Sequence, residues 1–116
     1  MTDQLSRAFA ALADPTRRDL VARLAADGDA TPGELGAPYA MSLQAVSKHL
    51  KVLEEAGLVT RSQEGRRRPV HLEAGVFDLM TKWIERYRRE AEERYGRLDA
   101  VLESLTGSDD RERDVS

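Results

Sequence analysis

The chain has 116 residues, of which 41% are hydrophobic, 34% charged and 5% aromatic. That length predicts one domain around one hydrophobic core, and that composition excludes wholesale disorder. Cysteine is absent, which excludes disulfides, thiolate metal ligands and cysteine nucleophiles together and suits a reducing cytoplasm.

No run of about 18 apolar residues occurs, and the N-terminal stretch MTDQLSRAFAALADPTRR lacks a basic start followed by an apolar core. The expectation is a cytoplasmic protein with no membrane partner. The formal net charge of −3 is unevenly spread. Residues 42–72 carry six basic and three acidic side chains, against four and six in residues 1–41 and eight and twelve in residues 73–116. A polyanionic partner is therefore expected at the middle third.

Leu5, Ala8, Phe9 and Leu12 recur at helical spacing and predict a first helix, about 3–13, ended by Asp14-Pro15. The same dipeptide opens a second helix, with Asp14 as the cap and Pro15 where a missing N–H costs nothing. Leu20, Val21 and Leu24 form its inward stripe and Gly28 closes it. Thr31-Pro32-Gly33-Glu34 fits a capping box for a short third helix, about 32–37.

After a turn over Pro38 to Met41, Ser42 can cap a fourth helix running to Ala56, with Val46, Leu50 and Leu53 inward and Gly57 as its stop. Leu58 to Gln63 alternates as a strand, Glu64-Gly65 supplies turn chemistry, and Pro69 to Leu72 returns, which makes a hairpin with a basic tip. From Val76 to Leu105, the residues Phe77, Met80, Ile84, Tyr87, Ala91, Leu98 and Leu105 keep a roughly seven-residue rhythm with charges between them, and Gly96 is a point where that helix can bend. A helix of about 30 residues reaches about 45 Å, beyond the body of a small domain, so part of its seam requires another chain. The acidic tail, residues 107–116, has almost nothing to bury and is expected to be disordered.

Two short helices joined by a tight turn and followed by a basic hairpin spell a winged helix-turn-helix. The fold class is thus mostly α with a small β-hairpin wing: one DNA-binding domain over residues 1–106, with helices 3–13 and 76–105 for dimerisation. The outer face of the fourth helix offers Gln44, Ser47, Lys48 and Lys51, with Ala45 small enough for close approach and Ser42 at the cap. Glutamine can pair bidentately with adenine in the major groove, and lysine reaches guanine or phosphate. The bland alternative is a solvated helix face. Arg66, Arg67 and Arg68 in a row, with Arg61 on the opposite strand, crowd guanidiniums onto one protrusion suited to phosphate or a minor groove.

The segments ALADPTRRDLVARL and MSLQAVSKHLKVLEEAGLV, with a hairpin ending in GRRR, resemble the ArsR/SmtB family of bacterial transcriptional repressors over about Phe9 to Leu72. The resemblance implies a homodimer that represses by occluding a promoter. It also implies a phosphate contact for His49, beside the equally open reading of a histidine satisfied within the domain. Many members of that family sense metals through a cysteine pair in the third helix or Asp and His clusters on the last helix. This chain departs from both patterns, since it has no thiol and its two histidines, His49 and His71, lie elsewhere. No metal and no cofactor are expected.

Arg17 and Arg18 oppose the dipole of the second helix, so they are expected either to ion-pair with an acidic neighbour or to meet a phosphate. Leu5, Phe9, Met80, Trp83, Ile84, Tyr87, Ala91, Tyr95 and Leu98 are the candidate dimer interface. A small-molecule effector pocket near Trp83 is the weaker use of those aromatics. No nucleophile elbow, phosphate loop or metal-protease motif accompanies the Ser, His and Asp residues, so no enzyme is expected. Partners are therefore double-stranded DNA and a second copy, with an effector of unknown identity. Two alternatives stay open: a ligand-responsive regulator of the same fold, and a protein-interaction module that does not bind DNA.

Overall fold

The computed structural model describes residues 3–106. The elements run α1 (Gln4–Leu12), α2 (Pro15–Asp27), α3 (Pro32–Gly36), α4 (Leu43–Glu55), β1 (Val59–Arg61), β2 (Val70–Leu72) and α5 (Ala74–Thr106), with one 3-10 turn at Ala37–Tyr39. The expectation for the acidic tail, residues 107–116, lies outside the described residues. Contacts divide the chain into two compact units, Met1–Met80 and Thr81–Ser116.

Helices α1 to α4 each start on a side-chain oxygen that satisfies an orphan backbone donor. Asp3 accepts from the Ser6 N–H at 2.7 Å and Asp14 from the Arg17 N–H at 3.0 Å. Thr31 Oγ1 accepts from the Glu34 N–H at 3.2 Å while the Thr31 N–H donates back to Glu34 at 2.8 Å, which completes the capping box. Ser42 Oγ accepts from the Ala45 N–H at 3.1 Å. Helix α2 ends at Gly28 with φ +89 and α4 ends beside Gly57 with φ +78, a backbone region that favours glycine.

These helices and strands enclose one core. Leu20, Leu35, Leu50, Leu53, Leu58, Val46, Val59 and Val70 are essentially solvent-free, and each such burial is worth roughly 1.5–3 kcal/mol. The Leu and Val spacing on α4 put Val46, Leu50 and Leu53 on one face, as the periodicity predicts. β1 and β2 pair antiparallel in the register Val59 with Leu72, Thr60 with His71 and Arg61 with Val70. Ala30, just before α3, adds a third position to that sheet by exchanging both backbone hydrogen bonds with Val70, at 2.8 and 3.3 Å. The pairing had no sequence signal, because one residue is too short to alternate.

At the tip of the wing, Glu64 and Arg67 exchange backbone hydrogen bonds at 2.9 Å in both directions. Gly65 has φ +63 and Arg66 does not share it, the pattern of a two-residue turn that demands glycine at its first central position.

The second unit is helical from Thr81 to Thr106, the remainder of α5. Its charged face is laced by Arg88, which sits 2.7 Å from both Glu85 and Glu92. Its apolar residues Trp83, Ile84, Tyr87, Tyr95, Leu98, Val101, Leu102 and Leu105 are all exposed, and the Trp83 and Tyr87 rings lie 4.8 Å apart.

Candidate nucleic-acid interface

The helix-turn-helix depends on how closely α3 approaches α4. Gly36 ends α3 against Val46 of α4, with no room for a Cβ between them. The turn then passes through the 3-10 segment and Ala40, the one non-glycine described residue at positive φ, +55, before Ser42 starts α4. This route spends the inner face of α4 on the core and leaves the outer face free.

On that outer face Ser42, Gln44, Lys48 and Lys51 are exposed, and Ala45 and Ser47 are half-buried. The Ser42 oxygen already accepts from the Ala45 N–H, so its hydroxyl proton remains available to an outside acceptor. Leu43, the first residue of α4, is 60% exposed. It stands three and seven residues before Val46 and Leu50 and so keeps their stripe, but at the first position of α4 the core no longer covers it, and it borders a shallow groove with Gly33, Gly36 and Met41.

The four wing arginines are not equivalent. Arg66 and Arg68 are exposed and have no carboxylate within 4.0 Å among the described residues. Arg67 Nη2 donates to Glu34 Oε1 at 3.0 Å, which ties the wing to the capping box of α3. Arg61 Nε stands 3.9 Å from Glu54. Both pairs are exposed, screened by water and cheap to exchange for phosphate. The Thr31 backbone N–H, then its hydroxyl, then the Arg67 charge hold the Glu34 carboxyl below its usual range.

His49 turns Nδ1 inward. Arg17 Nη1 lies 3.4 Å from it and Asp14 Oδ2 lies 3.9 Å from it. The tautomer decides which neighbour Nδ1 serves: without a proton it accepts from the Arg17 guanidinium, and with one it faces the Asp14 carboxylate. Arg17 and Arg18 form no ion pair within 4.0 Å among the described residues, although the charge of Arg17 bears on Asp14. Arg17 donates to the carbonyls of Ala11 at 2.6 Å and Ala10 at 3.4 Å, and Arg18 to those of Leu12 at 2.8 Å and Ala13 at 3.0 Å. They close the C-terminus of α1, where four carbonyls lack helical partners. Nothing in a linear pattern shows that the end of one helix lies beside the start of the next.

His71 anchors the base of the wing. Its Nδ1 is 2.7 Å from Asp29 and its Nε2 is 2.6 Å from Ser62 Oγ, so one imidazole on β2 joins the residue that follows β1 to the segment before α3. Of the candidate dimer residues, Met80 is 7% exposed within the core of its own chain, and Leu5 and Phe9 are half-buried against that core. Trp83, Ile84, Tyr87, Ala91, Tyr95 and Leu98 remain exposed on α5. Among the described residues no three His, Asp or Glu side chains converge as a metal site would require, and no helix is long and apolar enough to cross a membrane.

A helix-turn-helix whose second helix has a free polar face, followed by an arginine-tipped hairpin, defines a winged helix-turn-helix DNA-binding protein. Comparison with known proteins gives the same class. A helix-turn-helix domain model matches residues 12–62. An HTH-type transcriptional regulator of Mycobacterium tuberculosis is 40% identical over 92 residues, covering 79% of this chain and 85% of that protein. The crystal structure of an ArsR family transcriptional regulator superposes with a TM-score of 0.72 at 37% identity, covering 78% of this chain and 98% of the other. The solution structure of a homodimeric winged helix-turn-helix DNA-binding domain from Mycobacterium bovis has a TM-score of 0.60 at 27% identity, covering 76% and 81%. The chain belongs to the ArsR family of winged helix-turn-helix transcriptional regulators.

Proposed function

We propose that this regulator is a homodimeric repressor that binds an inverted-repeat operator, with α4 in the major groove and the wing, residues 59–72, on the flanking backbone or minor groove. The observation that carries it is the free outer face of α4, with Gln44, Lys48 and Lys51 exposed in the same unit as Arg66 and Arg68, which have no carboxylate partner among the described residues. Ser42 and Ser47 supply hydroxyls, Ala45 permits close approach, and Arg61 and Arg67 exchange their carboxylates for phosphates. His49, held by Arg17 and Asp14, positions α4 on α2 and leaves phosphate contact to its neighbours.

The second copy is expected on the apolar seam of α5, with Ile84, Tyr87, Ala91 and Leu98 at seven-residue rhythm and Trp83 and Tyr95 on its margins. Burying such a seam removes the exposed large side chains from water, which is the dominant drive for association. Two-fold symmetry then sets half-sites about one helical turn, roughly 34 Å, apart. Binding over a promoter excludes polymerase without any catalytic step, and Ser62, His71 and Asp29 serve as a wing anchor.

The test is selection of bound sequences from a random duplex pool, followed by titration of the winner at two salt concentrations. Enrichment of an inverted repeat with steep salt dependence is expected. No enrichment, or an affinity indifferent to salt, overturns the assignment and favours a protein partner for the same face.

A further inference from the structure

We propose that Leu43 is a sequence-reading residue: its side chain packs on the 5-methyl group of a thymine in each operator half-site, beside the base read by Gln44. This rests on the DNA-binding reading given above and assigns it one component of its sequence preference.

Leu43 is the first residue of α4 and is 60% exposed, whereas Leu50 and Leu53 of the same helix are fully buried. An apolar residue at the start of a helix commonly serves the local fold by stapling the incoming chain to the first turn. Here that position is Met41, which precedes the cap and packs against the core cluster that contains Val46. Leu43 borders the shallow groove that Gly33, Gly36, Met41 and Val46 also line, yet most of its surface stays in water, where a leucine loses the benefit of burial.

Its neighbours identify what covers it. Ser42 and Gln44 on either side are exposed, Ser47 lies one turn further along, and Lys48 and Lys51 place positive charge on the helix. A basic surround favours a polyanion over an apolar protein partner. The N-terminal residues of a recognition helix are those that reach base edges in the major groove, and the one apolar group displayed there is the thymine methyl. An exposed leucine flanked by hydrogen-bonding side chains therefore fits a thymine, and Gln44 beside it fits an adenine.

The experiment crosses a change in the protein with a change in the DNA. After the preferred operator has been selected, each thymine of a half-site is replaced singly by deoxyuridine, which removes only the methyl group, and affinity is measured for the wild type and Leu43→Ala. The wild type should lose about fourfold at one thymine per half-site, the value of one buried methyl-sized group, and about fifteenfold when both half-sites are changed. Leu43→Ala should bind thymine and uracil operators alike. Because the side chain is exposed and alanine favours helix, the variant should keep its thermal midpoint. Methyl discrimination that survives in Leu43→Ala overturns the proposal, as does a wild type indifferent to every methyl while it still binds the operator with steep salt dependence. A wild type that binds no DNA at any salt sinks the repressor assignment itself, and this one with it.

Discussion

A Cβ built on Gly36 stands 2.5 Å from Val46 Cγ2, closer than any real side-chain carbon approaches. Glycine is required here for space, since its φ of −84 is open to any residue. Gly36→Ala should therefore push α4 off α3 and destabilise the first unit by about 1–3 kcal/mol, the usual cost of overpacking. Adding Val46→Ala should restore part of the loss, although Val46→Ala alone opens a cavity. Urea denaturation of the four proteins checks this, and strictly additive losses would mean that the two positions do not meet.

The capping carboxylates make stability acid-sensitive. Asp14 is held below its usual 3.8, first by the Arg17 backbone N–H and then by the charges of Arg17 and His49. Asp3 is lowered from 3.8 by the Ser6 N–H and hydroxyl, and Glu34 from 4.5 by Thr31. A depressed folded value means that the stabilisation is complete above the unfolded value and is lost as pH falls through the folded one. The thermal midpoint should therefore decline as pH drops below 4.5, the usual value for Glu34, and through 3.8, that for the two aspartates. Asp14→Asn keeps an oxygen for the cap but removes its ionisation, so its decline should be shallower. An acid profile identical to that of the wild type would show that Asp14 does not contribute.

What the sequence made legible was whatever is written locally. The caps at Asp14, Thr31 and Ser42, the stops at Gly28 and Gly57, and the inward stripe of α4 each depend on residues a few positions apart. The pairing of Ala30 with Val70 and the grip of Arg17 and Arg18 on the end of α1 depend on where distant segments come to lie, and no periodicity encodes them. The wing was legible as a cluster of charge. Its division into a tethered Arg67 and the free Arg66 and Arg68 was not, because Glu34, the tether, is 33 residues away. Met80 keeps the seven-residue rhythm of α5 and yet lies in the core, since a repeat records apolar spacing and not which partner covers each position.

Arg18 and Arg66 separate a structural from a phosphate-binding arginine. Arg18→Ala removes two hydrogen bonds to the end of α1 and should lower stability by about 1 kcal/mol while leaving the salt dependence of DNA binding unchanged. Arg66→Ala should do the reverse: an unchanged thermal midpoint, and a salt slope reduced by about one unit for each lost phosphate contact. Titrations at four salt concentrations, with melting curves on the same samples, test both. Equal slopes for Arg66→Ala and the wild type would take the wing tip off the DNA.

Tyr87 tests the seam. It is 46% exposed in the single chain and stacks near Trp83, so a partner helix laid along α5 would bury both rings. Tyr87→Asp would place an unpaired carboxylate in that contact, which costs far more than lost packing, and should weaken self-association at least about a hundredfold. Arg89→Asp introduces a carboxylate at an exposed position outside the seven-residue rhythm and should leave assembly intact. Sedimentation over a range of concentrations distinguishes the two variants. Loss of the dimer should also remove the joint binding of two half-sites, so Tyr87→Asp should bind an inverted repeat no better than a single half-site. Should Tyr87→Asp sediment as the wild type does, the second copy would have to sit elsewhere on the chain.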